Sequence, residues 1–151
     1  MKILALNRRA KHDYELLERL EAGLVLAGQE VKSIKLGHVS LKGSFIHLRN
    51  GEAYLENCHI RRYSQASQIN AYEPTQSRKL LLKRKELDHL QTAKRAEGLA
   101  IVPTAIGVNR GLIKLEVAIG RGRKRYDKRQ AARSKAMQKD VSLEVKARLK
   151  N

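Results

Sequence analysis

Alternating apolar and polar positions give the clearest structural signal in the chain. The segment SFIHLRNGEAYLENCHI contains two alternating runs on either side of Asn50-Gly51, the residue pair preferred in a two-residue type I′ turn. The runs LAIVPTAIGV and LIKLEVAIG flank residues 109–111 in the same way. In the second of these runs the apolar positions fall on one face: Ile113, Leu115, Val117 and Ile119. The pattern therefore predicts two β-hairpins.

Helical spacing is weaker and confined to short stretches. In YELLERLEAGLVLAG the first half favours a helix, and residues 23–28 favour a buried strand closed by glycines. QEVKSIKLG predicts a short helix that ends at Gly37. RKLLLKRKELDHLQTAKRAEG predicts a short strand and then a helix ending at Gly98. We expect the inner face of that helix to be formed by Leu87, Leu90, Ala93 and Lys94.

Two further segments lack a clear period. Residues 1–13 are basic and turn-prone, and residues 61–78 are polar and predict a long loop. The chain therefore predicts a mainly β fold with short helices. We expect residues 1–120 to form an OB-like closed antiparallel barrel, because closing a sheet removes its exposed edges.

After residue 120 the composition changes abruptly. The segment RGRKRYDKRQAARSK holds eight Lys or Arg residues and almost no apolar surface, so residues 121–151 predict a basic tail that is disordered until bound. Apolar residues then recur every four positions, at Met137, Val141, Val145 and Leu149. This spacing favours a helix that forms only on binding.

The charge of the chain changes the functional picture most. The 151 residues carry a formal net charge of +17. Residues 121–151 hold twelve basic and three acidic residues, so this segment contributes about half of the excess. Such an excess indicates a polyanionic partner, either a nucleic acid or an anionic membrane surface. Aromatic side chains are scarce, with five Tyr, one Phe and no Trp. This combination favours a folded RNA over a stacked single strand, and no helix-turn-helix or zinc-finger pattern supports DNA.

Compartment and membrane association follow from simple counts. The single cysteine, Cys58, cannot form an intrachain disulfide and suits a reducing cytosol. The apolar run ILAL is too short for a signal peptide, which needs about 7–15 apolar residues, or for a membrane span of about 20. We therefore expect a cytoplasmic protein without a membrane partner.

The sequence offers little for catalysis. Cys58 and His59 are adjacent on a predicted strand and so point to opposite faces, which argues against a shared metal. His12, Asp13 and His59 could serve an acid–base ribonuclease if the fold brought them together. Surface polar residues on an RNA-binding body are the favoured interpretation of these three. No phosphate-binding loop or nucleophile elbow is present, and we expect no enzyme activity, metal or cofactor.

Three long blocks carry a resemblance to a known family. LNRRAKHDYELLERLEAGLVLAGQEVKSIKLG, RKLLLKRKEL and GRKRYDKR occur in this order at the expected separations. Together they closely resemble small protein B, the SsrA-binding protein family of bacteria, over essentially the whole chain. The resemblance implies an OB-like barrel that binds the tRNA-like domain of transfer-messenger RNA and carries it into stalled ribosomes for trans-translation.

The resemblance also implies partners. These are the ribosome, at its small-subunit decoding region and messenger-RNA channel, and, through the RNA alone, alanyl-tRNA synthetase and elongation factor Tu with GTP. The protein itself is expected to be a monomer without catalytic activity. The residues that align with family positions gripping the RNA are Asn7, Glu21, Leu81 and Lys114. Those that align with the tail motif acting on the ribosome are Tyr126, Asp127, Lys128 and Arg129.

Taken without the resemblance, these residues have ordinary interpretations. Glu21 and Lys114 would be strand-face charges, Leu81 a core residue and Asn7 a turn or cap residue. The tail would be a non-specific RNA-binding extension. One departure from the family pattern is Gln76, where an arginine is frequent. The alternative function is that of a ribosomal or ribosome-assembly protein that binds ribosomal RNA whether or not a message is present.

Overall fold

The fold is built on one large antiparallel sheet. A computed structural model of the chain describes residues 1–64 and 71–123. Seven strands form a sheet in the order β1-β8-β9-β2-β7-β5-β4, and β3 and β6 form a separate pair. In chain order the elements are β1 (Lys2–Leu6), α1 (Arg8–Asp13), β2 (Tyr14–Leu24), α2 (Gly28–Lys35), β3 (Val39–Ser40), β4 (Phe45–Arg49), β5 (Glu52–Glu56), β6 (His59–Ile60), β7 (Arg78–Leu81), α3 (Arg84–Arg95), β8 (Leu99–Asn109) and β9 (Leu112–Gly122).

Both predicted hairpins are present, and local turn chemistry explains them. Asn50 and Gly51 connect β4 to β5 with φ angles of 50° and 74°, as a type I′ turn requires. Arg110 and Gly111 connect β8 to β9 with φ angles of 52° and 80°. The second turn has only these two residues, because Asn109 already pairs with Leu112 in the ladder.

The core lies between the sheet and two helices. The four alternating residues of β9 are all buried, and they share one apolar cluster with Ile34 of α2 and with Leu87 and Leu90 of α3. Towards the end of β9 the opposite face is buried as well, because Ala10 of α1 packs against Val102 and Ala118. The predicted helices at α2 and α3 and the short strand β7 are therefore confirmed, and α1 is a third helix.

The helix expected in the first half of YELLERLEAGL is wrong. Residues 14–24 form one strand of eleven residues, which pairs with β9 from Tyr14 to Gly23. The ladder register shifts between Leu16 and Glu18, and the intervening Leu17 is exposed. This extra residue breaks the two-residue period and imitates helical spacing, while pairing with a strand 91 to 108 residues away overrides local propensity.

Two smaller expectations also fail. The basic N-terminal stretch is not a turn region but forms β1 and α1, since β1 gains backbone partners along β8. Lys94 is exposed rather than on the inner face of α3, which is formed by Leu87, Leu90 and Ala93. Apart from Arg78, the described residues of the polar segment 61–78 lie outside helices and strands.

The expected closed barrel is not found. Among the described strands, β1 and β4 lie at the two ends of the sheet order and do not pair with each other. The small β3–β6 sheet stands outside the large one, so it does not close the gap. Strand length in the sheet varies from eleven residues in β2, β8 and β9 to four in β7, and the end strands β1 and β4 have no ladder between them that would close the sheet.

A buried ion pair joins α2 to β7. The side chains of Glu30 and Arg78 are both about 2% exposed, and Nη2 and Nε of Arg78 donate to Oε2 of Glu30 at 2.6 and 2.9 Å. Arg78 also donates to the carbonyl oxygens of Cys58 and Pro74. The Tyr72 hydroxyl donates to the Ile60 carbonyl at 2.9 Å and lies 3.2 Å from Oε2 of Glu30, so the loop before β7 is tied to the same pair.

The ionisation of this cluster follows from its geometry. Burial alone raises the pKa of Glu30, but the Ala27 N–H and the Arg78 guanidinium outweigh burial and hold the pKa below its usual 4.5. Partial burial and the adjacent Glu30 carboxylate raise the pKa of Tyr72 to about 12. Burial raises the pKa of Cys58 to about 11, so its thiol stays protonated and unreactive at neutral pH.

We expect Arg78→Met to reduce the free energy of unfolding by about 3–5 kcal/mol, because the substitution leaves the Glu30 carboxylate buried and uncompensated. Arg19→Met is the matched control. It breaks a pair with Glu116 at 3.3 Å in which Arg19 is half exposed, and it should cost at most about 1 kcal/mol. Urea titration measures both. The double variant Glu30→Gln with Arg78→Met should recover part of the loss, and a double variant no more stable than Arg78→Met would contradict this account.

Candidate nucleic-acid interface

One face of the sheet is polar and open to solvent. Because side chains alternate along a strand, Ala22, Leu80 and Leu115 point into the core and their neighbours point outward. On the outward face β2, β7 and β9 lie side by side in the order β9-β2-β7. This outward face carries Arg19, Glu21, Gly23, Lys79, Leu81, Lys114 and Glu116.

Gly23 joins three of the predicted site residues. In the ladder it pairs with Lys114 of β9 on one side and with Leu81 of β7 on the other. A β-carbon at position 23 would lie 3.2 Å from the β-carbon of Leu81, which is tighter than an ordinary contact. Glycine at position 23 lets Leu81 lie close against β2 without crowding, and the Leu81 side chain remains 54% exposed there.

Glu21, Leu81 and Lys114 line one open groove on this face. We call it the β2–β7 groove, and its walls also include Gly23, Lys79 and Arg84. A positively charged amine, a carboxylate and an exposed apolar side chain thus line the same groove. Such a set can contact a phosphate, accept a hydrogen bond and pack against a sugar or base.

The groove is lined by four cations and three carboxylates, and Glu21 and Lys114 differ in how the protein compensates their charges. Nδ2 of Asn109 donates to Oε1 of Glu21 at 2.9 Å across the intervening strand β9, which orients the carboxylate. Glu21 stands directly opposite Glu116 in the ladder, and Arg19 neutralises Glu116 at 3.3 Å. Lys114 makes no ion pair with any described residue, so its charge is available to an external anion.

Asn7 lies elsewhere. It precedes α1, and its Nδ2 donates to the Pro103 carbonyl at 2.8 Å while its backbone N–H donates to the Thr104 carbonyl at 2.8 Å. These bonds fasten the β1–α1 junction to β8. Asn7 lines two hollows at this junction, and neither contains Glu21, Leu81 or Lys114. One of them is also lined by Arg19 and Glu116, so Asn7 borders the same outward face. The structure therefore brings together three of the four aligned residues.

The residues considered for catalysis are placed on different elements. Nδ1 of His12 and Oδ1 of Asp13 are 3.0 Å apart at the end of α1, and both side chains are partly exposed. His59 lies in β6, where it pairs with Ser40. Within residues 1–64 and 71–123, no three His, Cys, Asp or Glu side chains are grouped so that they could hold a metal ion.

Two further expectations concern the tail and membranes. Tyr126, Asp127, Lys128 and Arg129 lie outside the described residues, as does the Met137–Leu149 spacing. The longest helix in the described part of the chain is α3 with twelve residues, and no described helix has the length and hydrophobicity needed to span a membrane.

Comparison with known proteins decides the family. The model of the SmpB protein family matches residues 4–147. The chain belongs to the SmpB family. It is 43% identical over 148 residues to the SsrA-binding protein of Synechococcus sp. (strain JA-2-3B'a(2-13)), covering 98% of this chain and 96% of that protein. It is 44% identical over 145 residues to the SsrA-binding protein of Staphylococcus aureus (strain Newman), covering 96% of this chain and 94% of that one.

A solved structure of the same family is similar to this chain in three dimensions. The structure described as "tmRNA-SmpB: a journey to the center of the bacterial ribosome" is similar with a TM-score of 0.66 and 44% identity. The match covers 85% of this SmpB-family chain and 93% of the solved one. The mainly β architecture of the described residues is therefore that of an SmpB-family protein, and the resemblance drawn from the three sequence blocks is confirmed.

Sequence reasoning missed two contributors to the groove. The sequence predicts a buried strand at Gly23, but its position between Lys114 and Leu81 depends on partners from two distant segments. The sequence predicts a hairpin turn at Asn109, whereas the structure shows that its side chain also donates to Glu21. A glycine inside an apolar strand was a usable signal for close backbone approach, whereas nothing local indicates the Asn109 contact.

We expect Gly23→Ala to destabilise the protein by about 1–2 kcal/mol, because the new methyl group pushes against Leu81 and forces β2 and β7 apart. Gly28→Ala is the control. No atom lies within 4 Å of its added β-carbon, so it should be neutral or stabilising by up to about 1 kcal/mol. Thermal unfolding measures both. Equal stability of the two variants would show that Leu81 yields without cost.

Proposed function

We propose that this chain binds transfer-messenger RNA at its tRNA-like domain and delivers it to stalled ribosomes for trans-translation. The observation that carries the proposal is membership of the SmpB family over nearly the whole chain, with relatives named SsrA-binding proteins. The description of the similar solved structure names tmRNA-SmpB and the bacterial ribosome, which supports the RNA and the ribosome as partners.

In this proposal the β2–β7 groove is an RNA-binding face. Lys114, whose charge no described residue neutralises, contacts a phosphate. Glu21 repels phosphates, so it accepts hydrogen bonds from a base or from a ribose hydroxyl in the orientation that Asn109 gives it. The exposed Leu81 packs against the sugar or base beside them. Asn7 contributes separately, at the β1–α1 junction.

The remaining partners act through the bound RNA. Alanyl-tRNA synthetase charges the RNA, and elongation factor Tu with GTP delivers it, without a required contact to this chain. The protein acts in the bacterial cytoplasm as a monomer, by binding alone, and uses no cofactor. Residues 1–120 supply the RNA-binding body, although β9 continues to Gly122 before the tail.

The tail of residues 121–151 supplies the ribosome contact. A truncated message leaves the messenger-RNA channel empty, and a basic segment can enter it and release counterions from ribosomal phosphates. Tyr126 stacks on a ribosomal base near the decoding region, a type of contact worth about 1–3 kcal/mol by alanine substitution. Asp127, Lys128 and Arg129 complete the motif. Occupancy of the channel then reports that no message is present.

We expect Lys114→Ala to weaken binding of the tRNA-like domain and to lower the salt dependence of log K by about one unit or less, because one phosphate contact is lost. Glu21→Gln should weaken binding without changing that slope, since it removes an acceptor and no cation. Gel-shift titrations at several salt concentrations measure both effects. Unchanged affinity in both variants would rule out this face as the RNA contact.

We expect truncation before Tyr126 to separate the two functions. The truncated protein keeps every described strand and should bind transfer-messenger RNA with at most modest loss. It should fail to support peptide tagging on stalled ribosomes in a reconstituted translation system. Robust tagging by the truncated protein would contradict the tail mechanism.

A milder variant tests whether the tail motif is specific. Replacing Asp127, Lys128 and Arg129 with Ala leaves most of the tail charge in place. Tagging should fall steeply while RNA affinity holds.

Sedimentation distinguishes the proposed function from that of a ribosome-assembly protein. The protein is mixed with ribosomes whose messenger-RNA channel is either empty or filled with message. A protein that binds ribosomal RNA alone would sediment equally with both forms.

A further inference from the structure

A second groove lies between the β4–β5 turn and the C-terminal half of α3. We call it the turn groove, and it is lined chiefly by Arg49, Asn50 and Gly51 on one side and by Gln91, Lys94 and Arg95 on the other. The helical residues are three and four positions apart, so they share the side of α3 that faces the turn. None of the proposed roles above uses this groove.

The three cations of the turn groove are not neutralised. No carboxylate among the described residues forms an ion pair with Arg49, Lys94 or Arg95. The neighbouring Arg84 differs, since its Nε lies 3.4 Å from Oδ1 of Asp88. Three like charges around one hollow repel each other, and an anion bound between them would relieve that repulsion.

Arg49 is already oriented. Its guanidinium lies 4.1 Å from the centre of the Tyr54 ring, and Tyr54 pairs with Lys79 of β7, so Arg49 lies between the turn groove and Lys79 of the β2–β7 groove. Stacking fixes the plane of the guanidinium and leaves its N–H groups free to form two parallel hydrogen bonds with a phosphate. A cation held by its ring partner loses less entropy on binding than a free side chain does.

Lys94 and Arg95 can be explained by the dipole of α3, but this explanation does not extend to Arg49. Basic residues in the last turn of a helix stabilise its dipole, and both residues lie there. That effect acts along α3 alone. It does not account for Arg49, which comes from a hairpin and is brought to the same hollow by the fold.

The turn groove is continuous with the β2–β7 groove. A β-carbon at Gly51 would lie 3.7 Å from Nη1 of Arg84, and Arg84 also lines the β2–β7 groove. The two grooves therefore meet at Arg84, with Gly51 on one side of it. A polyanion that contacts Lys114 can continue over Arg84 to Arg49 without leaving the surface.

We propose that the turn groove binds the sugar-phosphate backbone of the same RNA that occupies the β2–β7 groove, with phosphates held by Arg49, Lys94 and Arg95. The inference rests on the proposed function, because it extends that RNA face. Its chemistry favours RNA over a protein partner. The lining offers cations and amides but no exposed aromatic anchor, and such anchors dominate protein–protein interfaces.

The test compares two variants of the full chain with equal loss of charge. Lys94→Gln with Arg95→Gln removes two cations from the turn groove. Lys32→Gln with Lys35→Gln removes two exposed cations from the last turn of α2, so it matches the first variant in the charge removed and in helix position. Thermal unfolding confirms that both variants are folded. The probe is the transcribed tRNA-like domain of transfer-messenger RNA.

We expect the turn-groove variant to lower the slope of log K against log salt by about two units, and to bind about tenfold more weakly near 0.25 M salt, as two lost phosphate contacts require. The control variant should change the slope by less than about half a unit. Arg49→Gln should add to the loss, and hydroxyl-radical footprinting should show one backbone segment that the turn-groove variant no longer protects.

Three results would overturn the inference, and they are distinguishable from failure of the proposed function. If Lys114→Ala weakens RNA binding and the turn-groove variant equals its control, the turn groove is not an RNA site and the proposed function stands. If the turn-groove variant keeps full RNA affinity but loses binding to a poly-glutamate peptide, the groove serves an acidic protein. If neither Lys114→Ala nor the turn-groove variant changes binding, the whole RNA face is misplaced.

Discussion

The position of β7 depends on the ion pair between Glu30 and Arg78. Arg78 is the first residue of β7, and its guanidinium is held by Glu30 and by two carbonyl oxygens in a dry environment. A strand anchored at its first residue cannot slide, and a slip of one residue would turn every side chain to the other face. The buried charge pair therefore decides that Leu81, three residues later, faces outward beside Gly23. A polar contact deep in the core thus sets the geometry of an exposed surface.

The outward face combines attraction with discrimination. The excess positive charge of the chain attracts any polyanion, and this attraction alone carries no information about sequence or shape. Glu21, which forms no ion pair with a described residue, makes part of the same face unfavourable for phosphates, whereas the opposite Glu116 is paired with Arg19. A ligand must present a phosphate to Lys114 and a donor group to Glu21 at the correct separation. A folded RNA can satisfy both demands, whereas an extended chain of phosphates meets only the first.

The parts of the fold that could be predicted are those determined by adjacent residues. The two turns were predictable because Asn-Gly and Arg-Gly supply left-handed backbone where two alternating runs meet. Strand β2 was not, because its partners lie far along the chain and a bulge at Leu17 disguises its period. Glu21, Leu81 and Lys114 were indicated by the family resemblance, but their meeting around Gly23 is a product of strand order. The contact from Asn109 to Glu21 and the outward position of Lys94 likewise depend on packing that no local pattern records.

The open ends of the sheet have a consequence for the protein in the absence of RNA. Unpaired strand edges invite pairing with another copy of the same chain. Strand β1 resists this through a register shift between Ile3 and Ala5, whereas β4, also five residues long, is regular and exposes Phe45. Two molecules that each carry a net charge of +17 repel each other before such edges can meet. Because that repulsion is screened within about 3 Å at 1 M salt, concentrated salt removes the barrier to edge-to-edge association. The charge that recruits the ligand also keeps the unliganded chains apart.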